Sequence, residues 1–358
     1  MQIVQWSTDK GFVDIPNGPE AAFAIYDHVY VVSRYGNQNY MFRSKLDEEK
    51  NPTTWTSEMI DGSIPVIGGN FIAHPNRLYI VGGMIDNTPT NSVYYAQVKS
   101  NRTLGAWKRS RNLSLITSNA SVVYWEGSVY LFGGKDYSGV ATNRIVRIDF
   151  NDIGTIQKVV TLPEVLPINL YNSTPLVYKN NVFLFGGNTG SFPTTNIIRV
   201  LKDQMNNGQL IIRYLNPLPI ALEKPAVGQL GDKIFVIGGK TIKSEGGIEP
   251  SKNTYISYFN TKGSLQFWAT DLQLPYDLDE LSLVGNKSAF YILGGLINNH
   301  ADRLIVTPRF YGDTNDHIAN IDNTIKTKLT KQIRFLNVSI VFLISVLVIL
   351  TVVFNFYF

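Results

Sequence analysis

Short runs of β-branched and aromatic residues alternate with polar loops along the first 310 residues, and one of these runs recurs with the same ending. Each copy is apolar over four or five positions and then stops at two adjacent glycines, a pattern that favours a buried strand. The copies are NRLYIVGG, GSVYLFGG, NNVFLFGG, DKIFVIGG and SAFYILGG, ending at Gly83, Gly134, Gly187, Gly239 and Gly295. Successive glycine pairs lie roughly 50 residues apart, which indicates a repeat architecture. A sixth, degenerate copy, DHVYVVSRYG, carries Ser33 and Arg34 where the glycines would stand.

Three further apolar runs accompany each glycine pair. One precedes the pair by about ten residues, as in NASVVYW, and one follows a polar loop, as in NRIVRIDF. The last run of several repeats contains tryptophan, in TTWTSEM with Trp55, GAWKRS with Trp107 and LQFWATDL with Trp268. Four short strands in a repeat of roughly 50 residues predict one propeller blade per repeat.

This pattern resembles the kelch repeat, which is marked by a hydrophobic run ending in a double glycine and by a later tryptophan. The resemblance implies an all-β fold: a six-bladed kelch-like β-propeller over residues 1–312. The last repeat lacks an obvious fourth strand, and IVQWSTDK near the N-terminus, with Trp6, resembles the tryptophan-containing runs. We therefore expect the N-terminal strand to complete the last blade and close the ring, because closure protects the sheet edges.

The glycine pairs invite a nucleotide-binding interpretation, but the surrounding residues favour a structural one. A dinucleotide fingerprint needs G-x-G-x-x-G, and a P-loop needs an earlier glycine and a following helix. The GGKTIKSEGG segment at 238–247 has neither of these features. We expect the glycines to allow close backbone packing between blades. The pairs are Gly82 and Gly83, Gly133 and Gly134, Gly186 and Gly187, Gly238 and Gly239, and Gly294 and Gly295.

Composition excludes several kinds of chemistry. The chain has 358 residues, a formal net charge of +4 and no cysteine, so disulfides, thiolate metal sites and cysteine nucleophiles are absent. The four histidines, His28, His74, His300 and His317, are not paired at metal-ligand spacing. No basic stripe with the features of a nucleic-acid site was identified. We therefore predict no cofactor, no metal and no nucleic-acid partner.

The loops that follow the glycine pairs are the predicted binding surface. In a propeller, the loops between strands 2 and 3 lie on the same face as the connections from strand 4 to the next strand 1. Those connections include PYDLDELS, whose three carboxylates could bind a cation or a basic partner or could simply be solvated. The candidate binding residues are Asp86, Asn87, Lys135, Asp136, Tyr137, Asn188, Lys240, Asp277, Asp279, Glu280 and Asn298.

Residues 313–358 have a different pattern. The segment 313–334 predicts an amphipathic, basic stalk helix, with an apolar face over 318–333 that would pack on the propeller or drive self-association. Residues 335–358 contain no charge and would reach about 36 Å as a helix. That length exceeds a hydrocarbon core of roughly 30 Å, so a C-terminal transmembrane tail anchor is predicted.

Basic residues precede this apolar segment and none follows it. Lys326, Lys328, Lys331 and Arg334 predict a cytoplasmic propeller by the positive-inside rule. Outward display, as on a virion, is the alternative. Six Asn-x-Ser/Thr sequons, at Asn101, Asn112, Asn119, Asn172, Asn286 and Asn337, would matter only in that case.

These features predict a membrane-tethered, non-enzymatic module that recognises a protein, or alternatively a glycan, through its loop face. Degenerate blades without a companion domain would suit a viral protein. The competing hypothesis is a carbohydrate-active enzyme, since sialic-acid epimerases resemble six-bladed kelch rings. Copper-radical oxidases of this fold need a cysteine that the chain lacks, and the Glu-x-x-x-Asp-x-x-x-Asp spacing of iron-dependent specifier proteins is missing.

Overall fold

The computed structural model describes most of the chain before residue 311. The described residues are 3–9, 19–35, 38–47, 52–61, 63–74, 76–85, 87–151, 155–206, 208–260, 263–275, 281–285, 290–293, 296–297, 300–301 and 305–310. Their regular structure consists of β-strands. Residues 5–308 form one compact unit, to which the account below applies.

Five four-stranded blades are each built from one continuous stretch of chain. The first described strand, β1 (Ile3–Asp9), precedes them. Blade 1 contains β2 (Pro19–Ile25), β3 (His28–Tyr35), β4 (Gln38–Leu46) and β5 (Pro52–Ile60). Blade 2 contains β6 (Asn70–His74), β7 (Arg77–Val81), the short hairpin β8 (Met84–Ile85) and β9 (Thr88–Pro89), then β10 (Val93–Gln97) and β11 (Lys108–Arg109). Blade 3 contains β12 (Ser121–Trp125), β13 (Ser128–Phe132), β14 (Arg144–Phe150) and β15 (Ile156–Val165).

Blades 4 and 5 repeat this arrangement. Blade 4 contains β16 (Thr174–Tyr178), β17 (Asn181–Phe185), β18 (Ile197–Lys202) and β19 (Leu210–Tyr214). Blade 5 contains β20 (Ala226–Leu230), β21 (Lys233–Ile237), the hairpin β22 (Lys240–Ile242) and β23 (Ile248–Pro250), then β24 (Thr254–Tyr258) and β25 (Ala269–Thr270). The remaining strands are β26 (Ser282–Gly285), β27 (Phe290–Leu293), β28 (Leu296–Ile297), β29 (His300–Ala301) and β30 (Ile305–Phe310).

The structure thus has five blades that are each formed by one continuous stretch of chain, whereas six were predicted. The predicted number is wrong in this respect. The sixth repeat supplies only three strands to a four-stranded sheet, whose order is β1-β30-β27-β26. We call this the composite sheet, because it combines strands from both ends of the described chain. The all-β propeller fold and the strand assignment of the glycine-pair runs are confirmed.

The hydrophobic core is divided into clusters between neighbouring sheets. The second strand of a blade is buried along nearly its whole length, as in Val129–Phe132 of β13, because another blade covers each of its faces. Separate clusters join blade 1 to blade 2, blade 2 to blade 3, blade 3 to blade 4 and blade 4 to blade 5. Val29 and Val31 of blade 1 also pack with Val284 and Leu293 of the composite sheet. The continuous apolar run that marks each repeat is thus the part that both neighbours cover.

The first glycine of each pair lies against the connection that leads into the next blade. A Cβ on Gly82 would stand 2.1 Å from the carbonyl oxygen of Thr117, and one on Gly133 would stand 2.0 Å from that of Leu170. The second glycine uses this closeness: the N–H of Gly134 donates to the same Leu170 oxygen at 2.8 Å. Both glycines of the pair have a positive φ, which disfavours other residues. The described glycine pairs therefore lie where a side chain would overlap neighbouring atoms.

Several predictions concern residues outside the described part. The stalk at 313–334, the transmembrane segment at 335–358 and the pair Gly294 and Gly295 all lie there. Among the residues that the structure does describe, no helix is both long and apolar enough to span a membrane.

We predict that Gly133→Ala destabilises the ring by about 2 kcal/mol or more beyond the cost of a matched glycine change. A Cβ at this position would overlap a neighbouring carbonyl, and relieving such overpacking typically costs 1–3 kcal/mol. Gly127→Ala is the control, because Gly127 also has a positive φ but a Cβ there would have no neighbouring atom within 4 Å. Urea unfolding of both variants measures the difference. Equal stabilities would contradict the packing role of the pair.

Candidate functional site

In blades 3, 4 and 5, the residue that follows the glycine pair lies beside the connection that enters the first strand of the same blade. Isolated antiparallel bridges join Ser118 to Lys135, Tyr171 to Asn188, and Glu223 to Lys240. Since the first strands line the central channel, these bridges hold the start of each 2–3 loop at the channel mouth. The expected adjacency of the 2–3 loops and the 4–1 connections is therefore present in blades 3, 4 and 5.

A chain of backbone hydrogen bonds runs from blade to blade around this mouth. The N–H of Asn119 donates to the oxygen of Gly68 at 2.9 Å, that of Asn172 to Asn119 at 3.0 Å, and that of Lys224 to Asn172 at 2.8 Å. All four residues have a φ between +49° and +59°. Glycine and asparagine adopt this conformation readily, whereas Lys224 is held in it by its surroundings. These connections are fixed by the ring.

Asparagine side chains extend the same chain and surround a buried carboxylate. Glu223 is only 8% exposed, and it accepts hydrogen bonds from Nδ2 of Asn172 at 2.7 Å and Nδ2 of Asn188 at 2.8 Å. Nδ2 of Asn119 donates to Oδ1 of Asn172 at 3.1 Å. A buried carboxylate is tolerated only when it is hydrogen-bonded in this way. The network therefore couples blades 3, 4 and 5 at the mouth.

A lysine and a tyrosine continue the cluster on its blade 3 side. Nζ of Lys135 lies 3.9 Å from the centre of the Tyr171 ring, within the range of a cation–π contact. Burial raises the pKa of the Tyr171 hydroxyl, and the negative charge of Glu223 adds to that rise. The hydroxyl therefore stays protonated through the physiological range.

The central channel contains a cavity of about 300 Å³. Its lining comes from the beginnings of the first strands and consists mainly of small polar residues and apolar residues, among them Ser121, Ser173 and Thr174. The Ser121 hydroxyl donates to the backbone carbonyl oxygen of Ser173 at 2.7 Å, and the Thr174 hydroxyl donates to the backbone carbonyl oxygen of Pro225 at 2.5 Å. In the described lining, Glu20 and Lys224 are the ionisable residues. Within the described part of the chain, no group of three histidines or carboxylates is placed to hold a metal ion.

The outer ends of the 2–3 loops are apolar and exposed in three consecutive blades. Tyr137 of blade 3 is 68% exposed and Phe192 of blade 4 is 56% exposed. In blade 5, Ile242 and Ile248 are directly opposite each other in the β22–β23 hairpin, and both are exposed. The loops of blades 3 and 4 are neighbours, since a Cβ at Gly190 would lie 3.8 Å from the Cβ of Ala141. We call Tyr137, Phe192, Ile242 and Ile248 the apolar tips.

The predicted site residues fall into three groups. Tyr137 and Asn87 are exposed in their loops, whereas Lys135 and Lys240 are half-buried beside the mouth. Asn188 is 2% exposed and belongs to the Glu223 network, so its role is structural. Asp136 accepts the N–H groups of Ser138 and Val140 and thereby shapes its own loop. The others lie outside the described residues: Asp86, Asp277, Asp279, Glu280 and Asn298.

Sequence reasoning missed Glu223 and most of the apolar tips. Phe192, Ile242 and Ile248 are isolated apolar residues within loops that are otherwise polar. That isolation is the signal that could have identified them, because an apolar side chain between polar sequence neighbours does not belong to the apolar runs that form the core.

Comparison with known proteins gives similarity over parts of the chain. Kelch repeat protein C2 of cowpox virus (strain GRI-90 / Grishak) is 30% identical over 115 residues, which cover 31% of this chain and 20% of that protein. Kelch repeat protein M-T8 of myxoma virus (strain Lausanne) is 38% identical over 66 residues, covering 18% and 12%. The chain thus aligns with a fifth or less of the length of these relatives. No protein-family profile matches it.

Among solved structures, that of YjhT superposes with a TM-score of 0.65 at 13% sequence identity. The superposition covers 85% of this chain and 99% of YjhT. At this identity the likeness concerns the fold alone.

We predict that Glu223→Gln lowers the free energy of unfolding by about 1–3 kcal/mol. The glutamine amide would turn a donor towards one of the two asparagine amides, which leaves a buried hydrogen-bonding group unsatisfied. Glu249→Gln in the exposed hairpin is the matched control, with an expected change within about 0.5 kcal/mol. Urea unfolding measures both. If the two variants were equally stable, the carboxylate would have no part in holding the mouth together.

Proposed function

We propose that the chain, a β-propeller similar over part of its length to viral kelch repeat proteins, is a non-enzymatic binding module that holds a protein partner on its loop face. The observation that carries this proposal is the set of apolar tips. Aromatic side chains supply much of the binding energy at protein interfaces, and they work best on a rigid support. Tyr137 and Phe192 stand on adjacent loops whose bases are fixed by the bridges at the channel mouth.

The charge distribution also favours binding to a protein. Ile242 and Ile248 are flanked along the chain by exposed charged residues, namely Lys243, Glu245 and Glu249. An apolar centre with a polar rim is the usual composition of a protein interface. The channel offers less support for catalysis, because an enzyme of this fold would be expected to bring several ionisable side chains together there, and the described lining contains two, Glu20 and Lys224.

A membrane location is the second part of the proposal. Residues 335–358 would anchor the module, and the basic residues between 326 and 334 would keep the propeller on the cytoplasmic side. The poxvirus origin of the relatives supports a virus-encoded protein. The partner would then be held at a membrane surface.

The third part is closure of the ring. We propose that the composite sheet serves as the sixth blade, with β1 as its outer strand. The sheet order supports this, and so do two contacts: Val284 packs with blade 1, and the ring of Phe290 lies 5.3 Å from that of Phe235 in blade 5.

We predict that Tyr137→Ala and Phe192→Ala each weaken partner binding about tenfold or more, since each removes an exposed aromatic anchor. Proximity labelling with the full chain identifies the partner, and titration against the purified variants measures the affinity. Phe267→Ala is the matched control, because Phe267 is 89% exposed but lies next to β25 rather than on a 2–3 loop. Loss of binding in this control alone would place the interface on the outer edge and overturn the proposal.

We predict that deleting residues 1–10 lowers the unfolding temperature of the whole ring by about 5 °C or more. The deletion removes β1 and leaves β30 as an unpaired edge. Calorimetry should still show a single transition, because neighbouring sheets share hydrophobic clusters. An unchanged transition would mean that β1 does not contribute to closure.

A further inference from the structure

The charged residues in the outer part of blade 2 are all positive. Between residues 87 and 125 the chain has five lysines and arginines and neither aspartate nor glutamate. The basic residues are Lys99, Arg102, Lys108, Arg109 and Arg111. In a chain whose 32 cationic and 28 anionic residues nearly balance, such a run creates a local field of one sign.

Four of these residues lie along the outer edge of the blade. Lys108 and Arg109 form the outermost strand, β11, and Arg111 follows two positions later. Lys99 reaches back towards them, since its Cε would lie 3.8 Å from a Cβ at Gly105. All four side chains are exposed. We call Lys99, Lys108, Arg109 and Arg111 the basic edge.

The charges of the basic edge are not neutralised by the described residues. Arg102 differs from them, because its Nε lies 3.3 Å from the Asp27 carboxylate. Arg109 donates only to neutral partners, the Ser92 hydroxyl at 3.4 Å and the Asn112 side-chain oxygen at 3.3 Å. No ion pair with a described carboxylate involves any member of the basic edge.

A lysine on an edge strand often serves only to prevent strands of different molecules from pairing. The outer strand β15 fits that explanation, since it carries Lys158 together with Glu164. The basic edge carries four cations and no anion beside a strand of only two residues. Protection of such a short strand does not require that much charge.

We propose that the basic edge docks on the anionic headgroups of the membrane in which residues 335–358 are anchored. The inference rests on the membrane location in the proposed function. The segment 311–334 would reach about 36 Å as a helix, which limits how far from the lipid surface the ring could lie. Where the basic edge touches the headgroups, the combined attraction of its four basic residues orients the ring. Docking on the outer edge of a blade leaves the loop face free for a partner.

The absence of cysteine makes a site-specific test practical. Ser110→Cys in the full chain places one environment-sensitive fluorophore within the basic edge. The labelled chain is incorporated into nanodiscs of phosphatidylcholine alone or of phosphatidylcholine with phosphatidylserine. We expect a blue shift of the probe only in the discs with phosphatidylserine, and we expect added salt to reverse it.

Charge-reversal variants show whether the basic edge is responsible. Lys108→Glu with Arg111→Glu should abolish the blue shift. Lys158→Glu with Arg213→Glu should preserve it, since these residues are exposed on the outer strands of blades 3 and 4 and the net charge changes equally. Circular dichroism confirms that both variants are folded.

The outcomes separate this inference from the function on which it rests. A chain that fails to enter any nanodisc would overturn the membrane anchor. If the chain enters both kinds of disc and the probe has the same spectrum in each, the membrane anchor is not overturned, but docking by the basic edge is. A probe that ignores phosphatidylserine but responds to added polyglutamate would also overturn it, in favour of an acidic protein partner.

Discussion

The ring depends on one contact between successive blades: a glycine pair lies directly against the connection that enters the next blade. Because Gly133 has no Cβ, the carbonyl oxygen of Leu170 can lie close to its Cα. The N–H of Gly134 donates a hydrogen bond to this same oxygen. The same contact recurs between Gly82 and Gly83 and Thr117. Because each of these pairs has no side chain, the backbone of one blade can lie against the connection that enters the next.

The same contact also helps to position the loop face at the channel mouth. Once the connections are fixed, the residues just after the glycine pairs are held at the channel mouth, where Glu223 and its asparagine partners link three blades. The outer ends of the 2–3 loops do not take part in this network. Tyr137 and Phe192 can therefore remain exposed without loss of stability, because the hydrophobic clusters that hold the ring together lie between the sheets.

Polarity along the sequence was a poor guide to which loop residues face a partner. Asn188 and Asp136 have the side chains expected of ligands, yet one is buried against Glu223 and the other orders the backbone of its own loop. Propeller loops begin with several backbone groups that no strand pairs, and short polar side chains are the usual way to satisfy them. The sequence could therefore predict that polar residues follow the glycine pairs. It could not predict which of them are buried, because burial depends on the neighbouring blade.

The sequence by itself determined the repeat, the all-β propeller fold and the packing role of the glycines, because periodicity and double glycines are local properties of the chain. Only the tertiary structure decided that Glu223, from the connection before blade 5, accepts hydrogen bonds from two residues of blade 4. It also brought Phe192 and Tyr137 onto adjacent loops and assembled a four-stranded sheet from β1 and the last repeat. These relations join residues far apart in the chain, and no local pattern encodes which of them meet once the ring has formed.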